Sequence, residues 1–365
     1  MRVLLFTLIS LLYIQSNTFA QKVSVNLLAN EKRYSDTGYQ IREVIDLRIV
    51  KSKIGEVYGL NGNRQEVNFR GNLDQLAFQF FDESIKPSKY DVQAVQARII
   101  QLDLHEKVSS NKSIYEGEIQ LIISFFKIGN FAPVHLIDYE GSVHYRRSPN
   151  RMDMIENVVN RVFGSGLDYF DSWMKVQVMS NRNLANKVRL EIIDHAKISH
   201  QDTVYYNPLR PLVWEDFSDK PKPGSRFNAA IFASFSIQGK SMVESGAIVQ
   251  TVEFDVYMLP DQSWVRNRSE YGLNHEQRHF DVVRIVADRL IHRLNNLELD
   301  PDMYEATIND AYFDAYREMN RLQDIYDKQT RHGMDTFAQE KWNNWIDEGL
   351  AGKWEMIEQA LIGDQ

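Results

Sequence analysis

The chain has 365 residues, 43% hydrophobic and 25% charged, ordinary values for folded protein, and its length suggests two domains or three small ones. A formal net charge of −8 argues against nucleic acid as a partner, since such binding needs a basic face that displaces phosphate counterions. The absence of cysteine excludes disulfides, thiolate metal sites, cysteine nucleophiles and cysteine-linked lipid, so any metal must be held by His and carboxylates.

Residues 1–20 read as a signal peptide. Arg2 is a minimal positive region, Val3 to Ile14 is apolar apart from Thr7 and Ser10, and Thr18 and Ala20 place a cleavage site before Gln21. The apolar run falls short of the ~20 residues that span a bilayer, and no later segment is longer. The expectation is a secreted or periplasmic protein without a membrane span.

A first module is expected over residues 21–200, an accessory domain of mixed α and β structure. Gln40 to Val50 is strand-like. Leu73, Leu76, Ala77, Phe80 and Phe81 have the spacing of an amphipathic helix within Asn72 to Ile85. Asp91 to Leu104, Ser113 to Ile128 and His135 to Tyr145 read as strands. The apolar stretch around Ser124 predicts a strand covered on both faces. Met152 to Met179 reads as a long helix. His105, His135 and His144 are scattered and read as structural or surface residues, so no catalytic constellation is visible here. The module suits docking to a cell-envelope partner. A linker from Asn181 to Pro211 follows, with a strand-like piece at Val188 to Ile193. His195 and His200 read as surface residues.

The second module is expected over residues 205–362. Ala229 to Gln238 and Thr251 to Leu259 alternate as strands. Asn274 to Asn295, Met303 to Asp327 and Thr336 to Ile362 are helical. A small antiparallel sheet followed by long helices is an α+β arrangement.

His275-Glu276-Gln277-Arg278-His279 opens the first of these helices. Residues four apart share a helix face, so two imidazoles so placed can hold one Zn²⁺ at ~2.0–2.1 Å each. Glu276 is turned about 100° from His275 and can reach a water on the open side of the ion. This is the constellation of metal-assisted hydrolysis, with Glu276 as general base. Chance produces such a pentapeptide on the order of 0.01 times in a chain of this composition. The strand Thr251 to Leu259 is expected to lie beside the cleft and to pair with an extended peptide.

At these residues the chain resembles the bacterial domain family DUF922, a group described as predicted secreted zinc-dependent proteases. The resemblance rests on Leu212-Val213-Trp214-Glu215-Asp216-Phe217 with Lys220-Pro221 and Ala229-Ala230, on His275 to Asp281, and on Tyr326 to Gly333 with Gln339 and Trp342. It covers about residues 205–350 and implies a zincin-like metal site without naming a substrate. Arg278 stands where the family is expected to have Gly.

The third ligand is open. Val282 and Ile285 stand where a metzincin has Gly and His, so that class is excluded. His332 is preferred, because Gly333 permits a turn that aims it at the first helix. Asp327, Asp281 and Glu298 are the alternatives. Asp281 and Asp327 otherwise support the ligating histidines, and Tyr326 is a candidate donor to an oxyanion or a packing residue. His292 reads as surface, and Trp342, Trp345, Ile346 and Leu350 as core. The expected function is a zinc peptidase acting on peptides or proteins. The alternatives are a cell-envelope binding or assembly protein with a structural metal, and a cell-wall peptide amidase.

Overall fold

The computed structural model describes residues 22–29, 32–90, 92–110, 113–195 and 197–363. The expected signal peptide lies outside the described residues. Two compact units divide the chain between Gln177 and Val178, and the architecture is mixed α and β. No described helix is long and apolar enough to cross a membrane.

The first unit contains β1 (Lys22–Val25), β2 (Tyr34–Thr37), β3 (Tyr39–Asp46), β4 (Gly55–Tyr58), β5 (Arg64–Phe69), α1 (Leu73–Ser84), β6 (Ile85–Pro87), β7 (Gln93–Val108), β8 (Tyr115–Lys127), β9 (Val134–Arg147) and α2 (Asp153–Gln177). A seven-stranded sheet runs β1-β5-β4-β7-β8-β9, with β3 also on β7, while β2 and β6 form a separate pair. The long strands and both helices match the sequence reading closely. The short strands β1, β2, β4, β5 and β6 carry too few residues to show a period.

In β8, Ile119, Leu121, Ile123 and Phe125 are fully buried on one face. Gln120 is exposed on the other, and Ile122, Ser124 and Phe126 are only partly covered. The expected two-sided cover is therefore absent. Both helices lie over the same face, joined by the Phe80–Phe163 ring contact, and Phe125 stacks on Phe170 of α2 at 4.1 Å. Acidic Asp153 and Glu156 in the first turn of α2, and Lys175 in its last, complement the helix dipole.

The second unit contains β10 (Lys187–Ile193), β11 (Val204–Tyr205), β12 (Ala229–Ala230), β13 (Ala233–Glu244), β14 (Ala247–Met258), β15 (Trp264–Val265), α3 (Glu270–Asn295), α4 (Tyr304–Thr330), α5 (Thr336–Leu350) and α6 (Glu355–Gly363). The strand at 187–193, read from sequence as part of a linker, pairs in parallel with β14. It thus belongs to the second unit and makes the sheet mixed rather than antiparallel. Strand β13 pairs antiparallel with β14 along its whole length, and β11 takes the end of β14. The strand expected at 229–238 is broken into β12 and β13, with Ile231 and Phe232 between them. The last expected helix is likewise two, α5 and α6, parted where Gly352 adopts φ +81°, a conformation that glycine enters without steric cost.

Helix α3 packs Val282, Val283, Ile285, Val286, Ala287, Leu290 and Leu294 into the core of this unit. Trp342 of α5 and Tyr326 of α4 are fully buried and meet edge to face at 5.3 Å. These contacts fix the mutual positions of α3, α4 and α5.

A buried ion pair ties β7 to β9 in the first unit. The side chains of Glu106 and Arg147 are 0% exposed, with Nε to Oε1 at 2.7 Å and Nη2 to Oε2 at 2.8 Å. Tyr145 Oη and the Tyr58 amide also donate to this carboxylate, each at 2.8 Å. Removing one partner leaves the other as an uncompensated buried charge. Arg147→Met is therefore expected to destabilise the first unit by about 3–5 kcal/mol, read as a lower urea midpoint. An unchanged midpoint would contradict this assignment.

Candidate metal centre

Helix α3 starts at Ser269, whose side chain accepts from the Gly272 amide at 3.0 Å. Its regular winding then sets His275 and His279 on one face, one turn apart. Both are 7% exposed, and their rings lie 5.0 Å apart at 88°. The end of α4 supplies Asp327. Its Oδ1 lies 3.3 Å from His275 Nε2 and 3.1 Å from His279 Nε2. Among the described residues, His275, His279 and Asp327 are the group whose ligand atoms all lie within 4.8 Å of one another.

The outer nitrogens are held as well. His275 Nδ1 lies 2.9 Å from Gln339 Oε1, and His279 Nδ1 lies 2.9 Å from Gln323 Oε1. Each imidazole thus faces an acceptor on both sides. A neutral ring with its proton on Nδ1 satisfies the glutamine but points the Nε2 lone pair at the carboxylate. A divalent cation between the two Nε2 atoms and Oδ1 removes that conflict. Tetrahedral bonds of ~2.0–2.2 Å place neighbouring ligand atoms roughly 3.3–3.6 Å apart, within a few tenths of an ångström of the 3.1 and 3.3 Å His–Asp separations here. The donor set therefore fits a divalent metal.

Electrostatics agree with that fit. Burial alone would raise the Asp327 carboxyl, but hydrogen bonds and attraction from His275 and His279 outweigh it and hold the group far below the usual carboxylate range. Burial pulls His279 down, and Asp327 and Glu276 push it to a net rise. Burial raises the carboxyl of Glu276, opposed by the two histidines and the Ile231 amide. Glu276 is 5% exposed, and its Oε2 accepts from the Ile231 amide at 2.9 Å. That bond explains the break between β12 and β13, because the Ile231 amide serves the site instead of a ladder.

Helix α4 ends in three successive left-handed residues, Arg331 at φ 51°, His332 at 54° and Gly333 at 74°. A side chain on residue 333 would sit 3.1 Å from Cγ and Nδ1 of His275, so the ring of His275 as well as the backbone requires glycine there. The turn carries His332 past the ligand group. Its Nδ1 lies 3.2 Å from Asp327 Oδ2, its ring sits on Phe227 at 4.6 Å, and its side chain is 44% exposed. His332, the preferred third ligand, thus stands beside the cluster, and the ligand atoms that lie within 4.8 Å of one another are those of His275, His279 and Asp327. The left-handed turn is the reason, since it lays His332 across the far oxygen of Asp327.

The other expectations sort by position. Asp281 accepts from Tyr206 Oη, Gln277 Nε2 and Arg278 Nη1, away from the ligand atoms. Glu298 follows the end of α3 in an exposed turn. Tyr326 is buried behind His275, with its hydroxyl 2.9 Å from Nδ1 and accepting from Gln339 Nε2 at 2.7 Å. Its hydroxyl is thus engaged with His275 and Gln339. Arg278 reaches Asp281, Asn343 and Asp347, leaving the metal face clear. Sequence reasoning missed Gln323, Gln339 and the Ile231 amide as parts of the site. Gln323 lies one turn before Asp327 on the same face of α4, a signal available once Asp327 is chosen. Gln323→Leu is expected to weaken metal binding about 10- to 100-fold in a competitive chelator titration. His332→Ala should leave the stoichiometry unchanged. Binding should tighten as pH rises through and beyond the ordinary imidazole value of 6.5, because the raised His279 retains a competing proton.

Comparison with known proteins places this segment. No curated protein matches the chain. One crystal structure, of a Xanthomonas campestris protein assigned to the DUF330 family, is 10% identical and covers 43% of this chain and 96% of its own, at a TM-score of 0.28. A second, of an uncharacterized protein, is 8% identical and covers 42% and 97%, at 0.23. Similarity that low assigns no fold. A family model matches residues 260–333, which include both histidines, Glu276, Asp327 and the left-handed turn. Over this segment the chain is similar to DUF922, described as a bacterial protein of unknown function.

Proposed function

We propose that the second unit is a zinc-dependent peptidase, exported with the first unit as an accessory module. The observation that carries this reading is the meeting of two Nε2 atoms and one carboxylate oxygen beside a buried Glu276 on the same helix. His275, His279 and Asp327 would hold the zinc, which would supply a Lewis acid to acidify a water and polarise a carbonyl.

The chain's own residues supply the rest. Glu276 receives the proton of the attacking water and passes it to the departing amine. Burial supports this role by raising its carboxyl toward the working range of a base that must also serve as an acid. The Ile231 amide holds Glu276 to one rotamer, which favours a fixed proton path. Gln339 and Tyr326 orient His275, and Gln323 orients His279. The exposed His332, held through Nδ1 by Asp327, stands at the mouth of the site, where its free ring edge suits contact with a bound carbonyl.

The strand expected to receive substrate needs correction. Strand β14 is flanked by β10 and β11 on one side and by β13 on the other, so it has no edge to offer along most of its length. Strand β13 pairs only with β14 among the described residues and leads out of the segment that holds Glu276. Its outer edge supports strand addition by an extended peptide.

Glu276→Gln is expected to keep its zinc and lose about 100- to 10,000-fold in kcat on a mixed peptide library. Zinc-loaded wild-type protein that cleaves no peptide, while zinc still raises its Tm, would sink the peptidase and favour a structural metal. Cleavage confined to cell-wall peptides would point to the amidase.

A further inference from the structure

We infer that the metal centre selects peptides carrying acidic side chains beside the bond to be cut, through a cationic rim formed by Lys220, Lys222, Arg226 and Arg331. This deepens the peptidase reading and rests on it for the position of the scissile bond.

Two contacts place the rim. The turn-rich loop 219–228 runs into β12 and on to Ile231, whose amide binds Glu276. Near the loop's end, the Phe227 ring lies 4.6 Å from His332, which is itself bound to Asp327. Arg226 and Arg331 are the chain neighbours of that Phe227–His332 contact, and Lys220 and Lys222 belong to the same loop. The loop is anchored at its backbone. Arg266 donates to the carbonyls of Lys222 at 3.0 Å and Ser225 at 2.7 Å, and its own amide donates to Asn228 at 2.7 Å. Asn267 adds a bond to the Asn228 side chain at 2.9 Å. An anchored backbone with exposed cationic side chains presents those charges in a fixed place.

The pairing pattern sets these residues apart. Across the second unit, Arg182, Arg189, Arg210, Arg268, Arg278, Arg284, Arg289, Arg293 and Arg317 are bound to carboxylates. Arg266 and Arg321 are bound to carbonyls. Arg226 and Arg331 alone among its arginines make no guanidinium hydrogen bond or ion pair with the described residues, and both flank the site. All four rim cations are exposed. Asp327 faces three imidazoles and Asp335 caps α5 through the Ala338 amide, while Asp219 and the exposed Asp261, next to the Pro260 carbonyl bound by the Asp219 amide, offset part of the charge at the Lys220 end of the loop. In a chain of formal net charge −8, unpaired cations gathered at the mouth of a metal site form a local field opposite in sign to the whole. Each exposed charge contributes little alone and is screened over a Debye length of ~8 Å at physiological salt, so the selectivity depends on salt.

The test separates binding from cleavage. Zinc-loaded Glu276→Gln protein is titrated with fluorescent peptides of one length whose central residues are acidic, neutral or basic. The expected result is acidic over neutral by about tenfold at low salt, shrinking to about twofold near 0.5 M salt. Arg226→Glu and, separately, Arg331→Glu, each checked for full zinc content, should weaken that order, and the two together, which cancel the charge of the rim, should erase it. Equal affinity for the three peptides, or an order unmoved by both variants, overturns the inference. So does equal affinity for anionic lipid vesicles with the same salt dependence, which marks the rim as a membrane patch. If wild-type protein cleaves none of the peptides while the binding order and its loss in the variants hold, the peptidase reading falls and the acidic-peptide site stands.

Discussion

One carboxylate oxygen facing two imidazole nitrogens organises the second unit. Asp327 Oδ1 stands 3.1 and 3.3 Å from the two Nε2 atoms, in surroundings where an unpaired charge would be costly. To hold three such groups together, the chain brings α3, α4 and α5 to a single corner. Helix α3 contributes both imidazoles, α4 contributes Asp327 and Gln323, and α5 contributes Gln339. The Tyr326–Trp342 contact is the apolar wedge that keeps that corner from relaxing. Both ring nitrogens of each imidazole have a polar neighbour, which is how polar residues are kept inside a protein.

The same constraint explains irregular backbone nearby. The amide of Ile231 is used by Glu276 instead of a ladder, and a strand is interrupted there. The end of α4 enters the left-handed region three times in succession, and Gly333 packs against the ring of His275. Backbone in sparsely populated conformations persists where surrounding contacts over-determine it, and such places gather at functional sites. The first unit is ordinary by contrast. Its sheet is covered by helices on one face, and among its buried charges Glu106 and Arg147 satisfy each other.

Sequence reading reached the long elements because they are long. Helices α1 and α2 and strands β7, β8 and β9 each span several periods, so their apolar spacing is unambiguous. The short strands around β4 and β5 exist because longer neighbours offer them an edge, and no local pattern announces that. The strand at 187–193 was readable as a strand, but its partner lies some 60 residues away at β14, a distance over which no local spacing carries information. The two-sided cover expected of β8 failed for a related reason. Apolar content on both faces of a strand states what is available for burial, and only the placement of α1 and α2 decides which face is buried.

At the site, the sequence by itself determined His275, Glu276 and His279, because the pitch of one helix fixes their relative directions without help from the rest of the fold. It also narrowed the third ligand to four residues. The choice among them belonged to the tertiary structure. Asp327 and His332 stand five residues apart at the same helix end, and the left-handed turn between them decides which one meets the imidazoles. The supporting glutamines, the amide at Ile231 and the cationic loop beside His332 have the same origin. They are placed by packing between segments distant in the chain, and no periodicity within a single segment encodes such packing.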